Sequence, residues 1–108
     1  MQYVTVTERD NNAEVRLQVG DELIVRLEAT PGTGYSWSVT GEEDVLKLSG
    51  TPTFESSGKF GLGRAEQQVF TFRVQAAGVR TLQLEYRRPW EKQAPTAKAF
   101  SVHLIAVE

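Results

Sequence analysis

Arg88, Pro89 and Trp90 follow directly on Leu82, Leu84 and Tyr86, whose alternation marks a strand face, and they open a polar stretch that runs to Lys98. An indole set among two arginines, Glu91 and Lys92 has no core within reach along the chain. Tryptophan and arginine dominate protein-binding hot spots, where truncation costs about 2 kcal/mol or more. Pro89 stiffens the approach to Trp90, and Arg88 is suited to pairing with carboxylates or stacking on aromatic faces. Burying a whole indole against a partner removes on the order of 200 Å² from water. At about 25 cal/mol per Å² that is roughly 5 kcal/mol before ordering costs. The competing reading is that Trp90 folds back over the edge of its own domain.

Two further stretches carry unusual loop chemistry. In Thr30-Pro31-Gly32-Thr33-Gly34-Tyr35, the proline fixes its own φ and pushes Thr30 toward extended backbone. Gly32 and Gly34 permit positive φ, so a slim turn with Thr33 at its tip is expected; an ordinary strand connection fits the same residues. Tyr35 and Trp37 alternate, and Trp37 is expected to be the buried one. In Phe60-Gly61-Leu62-Gly63-Arg64, two apolar side chains stand between glycines, after Gly58. They serve either as a lid folded on the core or as a contact surface whose glycines let a partner approach the backbone. No helix opens here and the P-loop pattern is missing, so a phosphate cradle is a weak alternative.

Catalytic readings find little support. His103 is the only histidine, at an outward position of the last apolar alternation, with no serine, threonine or acid tied to it by a motif. Glu42-Glu43-Asp44 reads as a solvated charge run. With no cysteine and a single histidine, metal ligation has no foundation, and neither a metal nor a cofactor is expected. The net charge of −2 argues against nucleic acid and anionic membrane surfaces as partners, and no apolar run approaches the roughly 20 residues of a membrane helix.

The elements that must position these loops are strands. Apolar residues recur with period 2 at Val4–Val6, Ala13–Val19, Leu23–Leu27, Tyr35–Val39, Val45–Leu48, Phe70–Val74, Leu82–Tyr86 and Phe100–Leu104. Asn11-Asn12, Gly20-Asp21, Gly41, Gly50 and Gly78 fall between them as turn residues. Residues 1–108 are expected to form one all-β domain, an immunoglobulin-like antiparallel sandwich of about seven to eight strands. If each connection reverses the chain, the first, third, fifth and seventh emerge at one end. The third, fifth and seventh are 30–37, 50–67 and 87–98, so the distinctive loops gather at a single pole.

In order and content the three loops resemble those of chagasin-like inhibitors of papain-family cysteine peptidases. That family carries an Asn-Pro-Thr-Thr-Gly-Tyr loop, a Gly-x-Gly-Gly loop and an Arg-Pro-Trp loop. Here the first is similar to Thr30–Tyr35, the second to Gly61–Arg64, and the third, Arg88-Pro89-Trp90, is intact. The chain departs from the pattern at Thr30, Gly32 and Arg64: Gly32 loosens the finger, and Arg64 either blocks a close backbone approach or adds a charge contact. The resemblance implies a reversible, non-covalent, competitive inhibitor whose loops enter the peptidase cleft. Thr33 would lie over the catalytic cysteine–histidine pair, Phe60 to Arg64 along one side, and Trp90 on the aromatic wall of the primed side with Arg88 supporting it.

Two other functions fit the composition: a carbohydrate-binding module with Tyr35, Phe60 and Trp90 as a stacking platform, and an adhesion domain. The default assembly is a monomer. The start, MQYVTVTERD, is unlike a signal peptide; the periplasm or the exterior is expected if a leader has been removed, and the cytoplasm otherwise.

Overall fold

A computed structural model describes residues 2–29, 34–40, 44–50, 52–56, 66–88, 90 and 98–108, with the side chains of 54–56 and 66 outside that description. Among these residues there are nine strands: β1 (Tyr3–Val6), β2 (Glu14–Gln18), β3 (Glu22–Ala29), β4 (Ser36–Val39), β5 (Leu46–Leu48), β6 (Thr53–Ser56), β7 (Glu66–Val74), β8 (Gly78–Arg87) and β9 (Lys98–Val107). One sheet runs β1-β3-β7-β5 with β6 also on β7; the other runs β2-β9-β8-β4.

Alternation explains which faces meet. Leu23, Val25 and Leu27 on β3 and Phe70, Phe72 and Val74 on β7 turn toward Leu82, Leu84 and Tyr86 on β8 and Phe100, Val102 and Leu104 on β9. All are buried, in one core cluster that also takes Val6, Leu17 and Trp37. Outward positions between them are polar or half-exposed, as a sandwich with two wet outer faces requires.

Two features refine the expectation. The outer strands β1 and β2 pair parallel with β3 and β9. Neither is joined to its neighbour by a hairpin, so no turn dictates antiparallel pairing there. Second, the connection read as a loop over 50–67 contains β6. β5 and β6 lie end to end along β7: Leu48 faces Phe72 and Thr53 faces Val69, so the register shifts by two residues between the two pairings. Gly50, just after β5, has φ +75°. Because β5 and β6 both run antiparallel to β7, the count of reversals is unchanged.

Asp21 fastens the pole away from the distinctive loops. Only 2% exposed, its carboxylate accepts from the backbone N–H of Gln18 (2.8 Å) and of Gln2 (3.1 Å), and from the Gln2 side chain (3.3 Å). The Gln18 bond foremost, with the Gln2 bonds, holds its pKa below the ordinary value. A depressed carboxylate stabilises the fold above its unfolded pKa, near 3.9, and loses that contribution as pH falls through the folded value. Asp21→Asn is therefore expected to melt below wild type at pH 7, with the gap closing below about pH 4 in a series of thermal melts.

Candidate functional site

Register places the loop roots. In the first sheet Ala29, where β3 ends, faces Glu66, where β7 begins, and Ser56 at the end of β6 faces the same residue. In the second sheet Ser36 at the start of β4 faces Arg87 at the end of β8, and Tyr86 faces Lys98 at the start of β9. The strand ends that bound 30–35, 57–65 and 88–97 thus lie at one pole. The opposite pole is tied by Gly20 N–H to Val74 O (2.9 Å), Val74 N–H to Asp21 O (3.0 Å) and Gln75 N–H to Val45 O (2.8 Å).

Of the residues assigned to the three loops as a binding site, Gly34, Tyr35, Arg88 and Trp90 are described, and they come together. Thr30, Pro31, Gly32, Thr33, Phe60, Gly61, Leu62, Gly63, Arg64 and Pro89 lie outside the described residues. Trp90 is 67% exposed and does not enter the core. Its six-membered ring lies across Gly34: a Cβ placed there would stand 2.4 Å from Cη2 and 3.1 Å from Cζ2. Gly34 also has φ +87°, a left-handed conformation that side chains rarely adopt. The backbone conformation favours glycine, and any Cβ there would push the Trp90 ring aside. The indole therefore rests on the neighbouring loop and keeps most of its surface for something else.

Beneath this contact runs a ladder of rings. The Arg88 guanidinium lies 4.6 Å from the Tyr35 ring centroid, Tyr35 stacks on Tyr86 (5.4 Å, 23° between planes), and Tyr86 meets Trp37 (5.1 Å, 39°). Lys98 Nζ sits 5.5 Å from the Tyr86 centroid. Trp37 is 4% exposed, as expected, and its Nε1–H donates to Glu28 O on β3 at 2.9 Å. A half-exposed cation is thereby linked, ring by ring, to the fully packed interior. Stacked pairs of this kind contribute roughly 0.5–1.5 kcal/mol each beyond area burial.

One contributor escaped the sequence reading. Gln68 on β7 is 6% exposed and bonds both backbone groups of Trp37, at 2.8 and 3.0 Å. The signal was a polar residue in phase with Phe70, Phe72 and Val74. Of the groups set aside as solvated, His103 is exposed, with Nδ1 3.2 Å from Thr81 Oγ1, and Asp44 is exposed and pairs with Arg80 at 2.8 Å; Glu42 and Glu43 lie outside the described residues.

Residues 16–104 match the description of the chagasin family peptidase inhibitors, I42. The chain belongs to that family. Chagasin-family members are peptidase inhibitors and not enzymes. Chagasin itself, from Trypanosoma cruzi, is 29% identical over 107 residues, covering 94% of this chain and 96% of chagasin. Among solved structures, a cysteine protease inhibitor, EhICP2, from Entamoeba histolytica superposes with a TM-score of 0.84 at 22% identity, over 97% of this chain and 95% of that one. PbICP-C, solved in complex with falcipain-2, gives 0.55 at 17% identity over 96% and 88%. These two establish the shared immunoglobulin-like sandwich.

Proposed function

We propose that this chagasin-family chain, acting over 1–108 as one monomeric domain, is a reversible, non-covalent, competitive inhibitor of papain-like cysteine peptidases. It blocks the active-site cleft with residues 30–35, 60–64 and 88–90. The observation that carries the proposal is Trp90, an indole 67% exposed yet held across Gly34 of another loop. A hydrophobic group fixed in solvent by its own fold is suited to a partner's pocket, because much of the ordering cost of binding is met in advance. PbICP-C, which shares the sandwich, was solved bound to falcipain-2. Thr33 lies over the catalytic cysteine–histidine pair, Phe60 to Arg64 flank it, Trp90 packs on the primed-side wall, and Arg88, stacked on Tyr35, supports Trp90.

The sugar-platform alternative is disfavoured by Tyr35, whose ring is already engaged by Tyr86 and Arg88. The experiment is papain hydrolysis of a fluorogenic peptide at rising concentrations of this protein. Competitive slowing at sub-micromolar inhibitor, fully recovered on dilution, is expected; no slowing at micromolar concentration ends the proposal.

A further inference from the structure

Gln68 stands at an inward position of β7, two residues after the strand's first residue, where the segment 57–65 ends. Its side-chain oxygen accepts from the Trp37 N–H and its nitrogen donates to the Trp37 carbonyl. Trp37 belongs to β4, an end strand of the other sheet. In an antiparallel ladder alternate residues turn both backbone groups away from the neighbouring strand, and at a sheet edge those groups face water or another chain. A single carboxamide meets both groups of Trp37, as an adjoining strand would. Three residues before Trp37 is Gly34, which carries the Trp90 ring, and Tyr86, against Trp37, lies two residues before Arg88.

We infer that Gln68 is a positioning residue for inhibition: by clamping β4 to β7 it fixes the root of the 30–35 loop relative to the roots of 57–65 and 88–90. It acts through Trp37 and touches no peptidase. The inference rests on the inhibitor reading above and adds a residue that none of the three loop motifs contains. The chemistry is selective, because the clamp needs one acceptor and one donor on the same planar group. Leucine fills similar space and leaves a buried N–H and C=O unmet. An ionised glutamate meets the N–H but turns an oxygen on the carbonyl; a protonated one restores the donor. Burial raises a glutamate's pKa above the usual value of about 4.3, so the protonated form returns at mildly acid pH.

The test compares wild type, Gln68→Leu and Gln68→Glu against papain at pH 7.5 and 5.0, each at 25 °C, with thermal melts at both pH values. Relative to wild type at the same pH, Gln68→Leu is expected to bind about fivefold more weakly at both, from folded protein. Gln68→Glu is expected to be as weak at pH 7.5 and within about twofold of wild type at pH 5.0. Lowered melting temperatures with unchanged inhibition constants would make Gln68 merely structural and overturn the inference. Should neither variant fold, hydrogen exchange on the wild type decides: the Trp37 amide is expected to rank with the protected amides of β7 and β8, and exchange at the rate of an open edge refutes the clamp. If wild type leaves papain untouched, the inhibitor reading fails; if it inhibits and the folded variants match it, only the role of Gln68 fails.

Discussion

Trp90→Ala is expected to raise the inhibition constant against papain at least thirtyfold while moving the melting temperature by no more than about 3 °C. The two numbers come from the same fact. Two-thirds of the indole is already outside the fold, so truncation removes little that stabilises the free protein. That exposed fraction is on the order of 150 Å², which at about 25 cal/mol per Å² sets a ceiling near 4 kcal/mol in the complex. Hot-spot truncations begin near 2 kcal/mol, so the window is roughly thirty- to a thousandfold. Most of the change should appear as faster dissociation, which progress curves after dilution measure directly. A shift below threefold would place Trp90 outside the interface.

Gly34→Ala should weaken inhibition by about tenfold or more, although the added group is one methyl. Two costs are involved, and they separate experimentally. The first is the backbone: φ +87° in a residue with a Cβ costs on the order of 1–3 kcal/mol, paid in both free and bound states, and it appears in the melting temperature. The second is displacement of Trp90, since nothing tolerates a carbon 2.4 Å from Cη2. That displacement is specific to inhibition. Introduced into Trp90→Ala, where the clash is gone, Gly34→Ala should change the inhibition constant less than threefold while still lowering stability. Such a double-mutant cycle isolates the contact between the two loops. Equal effects in both backgrounds would show that Gly34 and Trp90 act independently.

Much of this arrangement was legible in the sequence because alternation survives wherever one face is buried. Phe70-Thr71-Phe72 and Leu82-Gln83-Leu84 announce their strands, and counting reversals brings Gly34 and Trp90 to the same pole. β6 was not legible: Thr53-Phe54-Glu55-Ser56 is too short to show a period, and its register on β7 is shifted from that of β5. The parallel pairings of β1 and β2 were hidden for another reason, since strand neighbours across a sheet leave no mark in local sequence. The resting place of Trp90 is intermediate between the two readings open to it, against the neighbouring loop and still mostly in water. Gln68 shows the limit most clearly. Its phase was visible, but its partner, the backbone of a residue in the opposite sheet, depends on tertiary packing alone.

The central claim is that the loops of one pole meet the peptidase together. Hydrogen exchange of this protein, free and saturated with papain, tests it without any substitution. Slowed exchange is expected in peptides covering 30–35, 57–65 and 88–97, with 19–21 and 75–77 unchanged. Protection confined to that opposite pole, or spread over an outer sheet face with the Trp90 peptide unaffected, would contradict it.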